Sequence, residues 1–161
     1  MLCQDSREAE LGREGQEQIM AKSVCNVTAL RKASRRLSQI YDAALAPHGL
    51  RSTQRAILAH VARAHSPTMG ELAAALVIDR TALNHNLKPL VRDGYLKIEV
   101  DENDARGRRI ELTGRGQQIL EASHDGWLAA QQQFEQMFGE TQAAALRSAL
   151  ETIAGMKLHP R

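Results

Sequence analysis

Residues 101–113, Asp-Glu-Asn-Asp-Ala-Arg-Gly-Arg-Arg-Ile-Glu-Leu-Thr, set three arginines around one glycine and then alternate apolar and polar residues. A guanidinium is a permanently charged, planar fork of donors that suits phosphate oxygens and the negative floor of a narrow DNA groove. Arg106 and Arg108 are therefore candidate DNA contacts, with Arg109 beside them. Asp104, two residues before Arg106, is placed to hold that guanidinium across a tight tip. Arg80, Thr81, Asn84, His85 and Lys88 form a second group at the start of the run RTALNHNLKPLVRDG. Arginine matches a guanine edge and asparagine an adenine edge, while threonine suits a phosphate or a thymine methyl. Ser52, Thr53 and Gln54 open another helical run, where unpaired amides and the helix dipole favour a phosphate.

These groups need elements to position them. Val27, Leu30, Leu37, Ile40, Ala44 and Leu45 recur at helical spacing, and Pro47 and Gly49 stop that first helix. A second helix starts at Ser52, carries Ile57, Leu58 and Val61 on one face, and breaks at Ser66-Pro67. Thr68 with Glu71 three residues later reads as a capping box for a short third helix. Asp79 caps a fourth, with Leu83, Leu87 and Leu90 on its buried side and Gly94 at its end. Pro89 cannot donate to the carbonyl of His85, which predicts a bend with the groove-facing part before it. Residues 95–100 alternate like a half-buried strand, and Ile110 and Leu112 point inward on the return strand. One long helix is predicted from Thr113 to about Phe138, weakened at Gly126, and a last one from Glu140 to Lys157. The sum is a mainly α fold with a small β-hairpin wing, a winged helix-turn-helix over about 50–113.

Composition sets bounds on function. The net charge is only +2, so any basic surface has to be local. Aromatic residues are 3% of the chain, which leaves Leu, Ile, Val and Ala to pack the core. No run approaches the ~18 apolar residues of a membrane span, and no secretory leader is visible, so the expected location is cytoplasmic with no membrane partner. Residues 1–22 read as a flexible arm and 23–161 as one domain, with Met20 an alternative start. Cys3 and Cys25 form neither a disulfide framework nor a CxxC pair, and the six histidines make no tight ligand set, so no metal is expected. Nucleophile-elbow, P-loop, HExxH and CxxC motifs are all absent, which argues against an enzyme and a catalytic site.

Asp104-Ala105-Arg106 followed by Arg109-Ile110-Glu111-Leu112-Thr113-Gly114-Arg115-Gly116 resembles the D-x-R, short strand, L-T-x-x-G pattern of MarR-family transcriptional regulators. Leu50 to Gln54, Gly70 to Ala73 and Leu90 to Leu96 are similar to further elements of that family. The resemblance implies a homodimer held by helices at about 24–46 and 113–158, two winged-helix lobes on a pseudo-palindromic operator of double-stranded DNA, and repression released by a small molecule. It departs at Asn84-His85, where the family often has Thr-Arg, and at Ile98, where it often has Arg. No bound cofactor is implied beyond a small aromatic or organic-acid effector, for which Arg31, Ser34, Ser38, Tyr41 and His60 are candidate contacts. Two alternatives stand beside this. Winged helices also serve as protein-protein interaction modules, and Cys25 near a helix start suggests a cysteine-based redox-sensing regulator, although Val27 occupies the position the sensing members use.

Overall fold

Pro47 and Gly49 end the first helix where the sequence places its stop. In the computed structural model, which describes residues 25–100 and 107–157, α1 runs Asn26–Leu45. A 3-10 turn follows over Ala46–His48, and Gly49 closes it at φ +67°, a backbone conformation that only a residue without Cβ adopts cheaply. The chain divides into two compact units, one through Ser38 and one from Gln39 onward.

In the second unit, α2 (Ser52–Ala64) begins with its amides already engaged. The Ser52 N–H donates to Asp42 Oδ1 at 2.7 Å, and the Arg51 N–H donates to Gln54 Oε1 at 2.9 Å. Helix α3 (Met69–Ala75) carries the reciprocal cap expected of Thr68 and Glu71. The Glu71 N–H donates to Thr68 Oγ1 at 3.2 Å, and the Thr68 N–H donates to Glu71 Oε2 at 2.7 Å. Helix α4 (Arg80–Arg92) starts from Asp79, whose Oδ1 accepts from the Ala82 N–H at 2.7 Å. The helix continues three residues past Pro89, and the Asp93 N–H donates to the Pro89 carbonyl at 2.9 Å.

Strands β1 (Leu96–Val100) and β2 (Arg108–Leu112) pair antiparallel, with Leu96 opposite Leu112 and Ile98 opposite Ile110. A third segment joins them: the Ile110 N–H donates to the Pro67 carbonyl at 2.9 Å, and Thr68 bridges Arg109. The base of the wing is thus stitched to the loop between α2 and α3.

The predicted continuous helix from Thr113 to Phe138 is instead two, α5 (Gly114–Ala122) and α6 (His124–Phe138). The break falls at Ser123, whose fully buried hydroxyl donates to the Leu120 carbonyl at 3.1 Å. A serine that bonds its own preceding turn competes with the helical ladder. Gly126, the residue expected to weaken the helix, lies inside α6, where an added Cβ would come 2.8 Å from the Ala44 carbonyl oxygen. The last helix, α7, spans Glu140–Ala154.

Leu45, Leu58, Leu72, Leu83, Leu87, Leu90, Leu96 and Ile110 form the aliphatic core, each at most 2% exposed. The architecture is a winged helix-turn-helix, mainly α with a two-stranded hairpin. Among the described residues, no helix is long and apolar enough to cross a membrane.

Candidate nucleic-acid interface

Helix α4 separates core from surface by its 3.6-residue period. Leu83, Leu87 and Leu90 are buried, whereas Arg80, Thr81, Asn84, His85 and Lys88 are all exposed. Two clefts flank this exposed face. Arg80 and Asn84 line one of about 690 Å³ together with Thr68, Ile98 and Arg108, so the start of α4 and the wing share a groove. Thr53, Gln54, His85 and Lys88 line the other, of about 530 Å³, joined by Arg51 and Arg92. Among the described residues, neither cleft is lined by a carboxylate. A chain of net charge +2 therefore presents a local surface of cations, amides and hydroxyls around one helix.

The wing divides its arginines by role. Arg108, paired with Val100, is exposed on the groove side. Arg109 turns to the base, where its NH1 donates to the Ser66 carbonyl at 2.9 Å. On the other face Lys97 bridges Glu99 and Glu111, each at 2.7 Å, which raises the lysine's pKa and lowers that of Glu111. Arg106 and Asp104 lie outside the described residues.

The other candidates are less gathered. The Ser52 amide is taken by Asp42, so a phosphate at that helix start would meet a carboxylate. Tyr41 donates its hydroxyl to the Gln131 side chain, and burial, foremost, raises its pKa. His60 holds the Ala56 carbonyl through Nδ1 at 2.8 Å and lines a cleft with Arg63 and Arg109. Arg31 and Ser34 are exposed and Ser38 half-buried in the first unit. Cys25 is exposed just before α1, and hydrogen bonding to the Thr28 side chain, foremost, lowers its thiol pKa. Among the described residues, no group of three or more His, Cys, Asp or Glu is arranged to hold a metal.

A family model described as MarR family matches residues 48–107. A crystal structure of the M. tuberculosis transcriptional regulator MOSR in complex with DNA is 36% identical, with a TM-score of 0.68, over 80% of this chain and 98% of that one. The chain belongs to the MarR family. MarR-family proteins are DNA-binding transcription regulators and not enzymes. The transcriptional activatory protein BadR of Rhodopseudomonas palustris is 31% identical over 81 residues, 48% of this chain and 46% of that protein. That match spans about half the length of the curated relative. A mutant of E. coli MarR complexed with operator DNA shares the fold at 24% identity and a TM-score of 0.71, over 78% of this chain and 91% of that one.

In this MarR-family chain, three contributors escaped the sequence reading. Arg51 and Arg92 complete the second cleft, and a basic residue just outside each helix's polar group was the available signal. Arg92 is also tied to Asp93 at 2.8 Å. The third, Arg55, is buried at 9% exposure on the face of α2 that carries Leu58 and Val61. A charge on an apolar face was legible as an anomaly.

Proposed function

We infer that this MarR-family chain is a sequence-specific DNA-binding regulator that lays α4 in a major groove and sets the wing on the adjoining minor groove or backbone. The observation that carries this reading is the pair of clefts flanking the exposed face of α4, lined among the described residues by cations, amides and hydroxyls and by no carboxylate. Phosphates would be neutralised by Arg51, Lys88 and Arg108, and base edges met by Arg80 and Asn84. The reading includes a homodimer on a pseudo-palindromic site, supported by apolar side chains left exposed on α6 and at the end of the chain. Leu128 is 38% exposed, Phe138 46%, Ile153 50% and Met156 60%. A monomer would leave that surface in water. It also includes repression relieved by a small aromatic or organic acid, the behaviour that the family resemblance implies.

Fluorescence anisotropy tests it, using the duplex upstream of the chain's own gene against a scrambled duplex at several salt concentrations. The native duplex is expected to bind tighter by about 10³ or more, with log K falling linearly in log salt. Asn84→Ala is expected to cost about 1–3 kcal/mol and to relax preference at one base position. Arg108→Ala is expected to weaken both duplexes alike and to reduce the salt slope by about one. Equal, weak binding of both duplexes by the unaltered chain would sink the reading.

A further inference from the structure

Side chains alternate along β1, so Leu96, Ile98 and Val100 share one face of the hairpin with Leu112, Ile110 and Arg108 across from them. Lys97 and Glu99 share the other face with Glu111 and Arg109. Leu96 and Ile110 belong to the core. Farther along, the same face leaves the lobe, and Ile98 is 39% and Val100 53% exposed. The strand is not short of charge, since Lys97, Glu99 and Glu111 form an ion-pair cluster on its other face. Yet the side of β1 that continues the core face stays apolar after it reaches water.

Ile98 lines the same cleft as Arg80, Asn84 and Arg108, and half-buried Met69 adds to its apolar lining. Arg80 and Asn84 carry donors for base edges, and Arg108 a charge for phosphate. An isoleucine has neither donor nor charge. Against a phosphate it would strip water from the oxygens and return no hydrogen bond. What it offers DNA is apolar surface, and the apolar group that a base pair presents in the major groove is the C5-methyl of thymine. Ile98 also stands where the family pattern often has arginine, so this chain places aliphatic surface instead of a cation beside its base-reading residues.

We propose that Ile98 determines base preference by packing on the C5-methyl group of a thymine, in the pair that Asn84 reads or in a neighbouring pair. The inference rests on the DNA-binding reading above and adds to it the base that the root of the wing selects.

Uracil is thymine without that methyl and keeps every hydrogen-bonding group. Thymines are replaced by uracil one at a time in the duplex upstream of the chain's own gene, and binding of the full chain is followed by fluorescence anisotropy. At one position the replacement is expected to raise the Kd of the unaltered chain about fourfold, the effect of one buried methyl-sized group. That position is expected in the pair where Asn84→Ala relaxes preference, or beside it. Ile98→Ala is expected to bind the thymine and uracil duplexes equally. Ile98→Arg, which supplies attraction for phosphate in place of apolar surface, is expected to keep binding and to lose the distinction as well. Each ratio is taken within one variant, so a partly unfolded fraction cancels. If the unaltered chain prefers the native duplex to a scrambled one but binds every uracil duplex as well as the thymine one, this inference is overturned and the DNA-binding reading stands. A uracil effect that Ile98→Ala retains, or a sensitive thymine distant from the pair that Asn84 reads, would also overturn it. Equal, weak binding of native and scrambled duplexes would overturn both.

Discussion

Gly116→Ala is expected to lower the melting temperature by roughly 5–10 °C, a loss of about 2–3 kcal/mol on the scale of a chain this size. A Cβ at position 116 would come 2.1 Å from the Tyr95 carbonyl oxygen and 2.8 Å from Leu112 Cδ1. That carbonyl cannot retreat freely, because it accepts from the Thr113 N–H at 3.1 Å. Leu112 is likewise held opposite Leu96 at the end of the hairpin. Helix α5 must therefore shift off the hairpin. Alanine's better helix propensity returns only about 1 kcal/mol, against an overpacking cost of about 3–4 kcal/mol, at and just above the top of the usual range because backbone is what must move. A melt that superimposes on that of the unaltered chain would show that α5 does not press on the wing base as described.

Leu83→Ala and Asn84→Ala, adjacent in sequence, are expected to fail in opposite ways. Leu83 has 0% exposure at the centre of the core, so truncating it leaves a cavity worth about 2–5 kcal/mol out of a typical total of about 5–15. Urea unfolding is expected to show a lower midpoint with an unchanged slope. Asn84 is exposed on the opposite face of α4, so its loss is expected to stay within about 0.5 kcal/mol in the same assay while DNA preference changes. If Leu83→Ala cost less than Asn84→Ala in urea, the assignment of faces on α4 would be wrong.

The sequence was most legible where one residue type does one local job. Thr68 and Asp79 were readable as caps because a helix start needs a side-chain acceptor close in sequence. The exposed row on α4 was readable because the helical period sorts it from Leu83, Leu87 and Leu90. What was hidden depends on partners distant in the chain. Asp42 reaching Ser52, Pro67 pairing with Ile110, and Arg55 stacking on Trp127 have no local signature. The break at Ser123 was missed because serine tolerates a helix interior about as well as it interrupts one. At Gly126 the reverse error arose. A glycine read as a flaw in the helix is the place where α6 comes close to the Ala44 carbonyl.

The fastening of the hairpin bears on how such a protein diversifies. Both strands leave the lobe at one point. The Thr113 hydroxyl donates to the Gly94 carbonyl at 2.7 Å and accepts from the Gly116 N–H at 3.0 Å, and Leu96 and Leu112 lie opposite each other beside it. Residues inserted in pairs between Val100 and Arg108 are expected to leave that fastening, at the far end of the strands, in place. Doubling the length of such a connection costs only about 0.6 kcal/mol in closure entropy. The reach of the wing is thus a quantity that mutation can adjust independently of the letters that α4 reads.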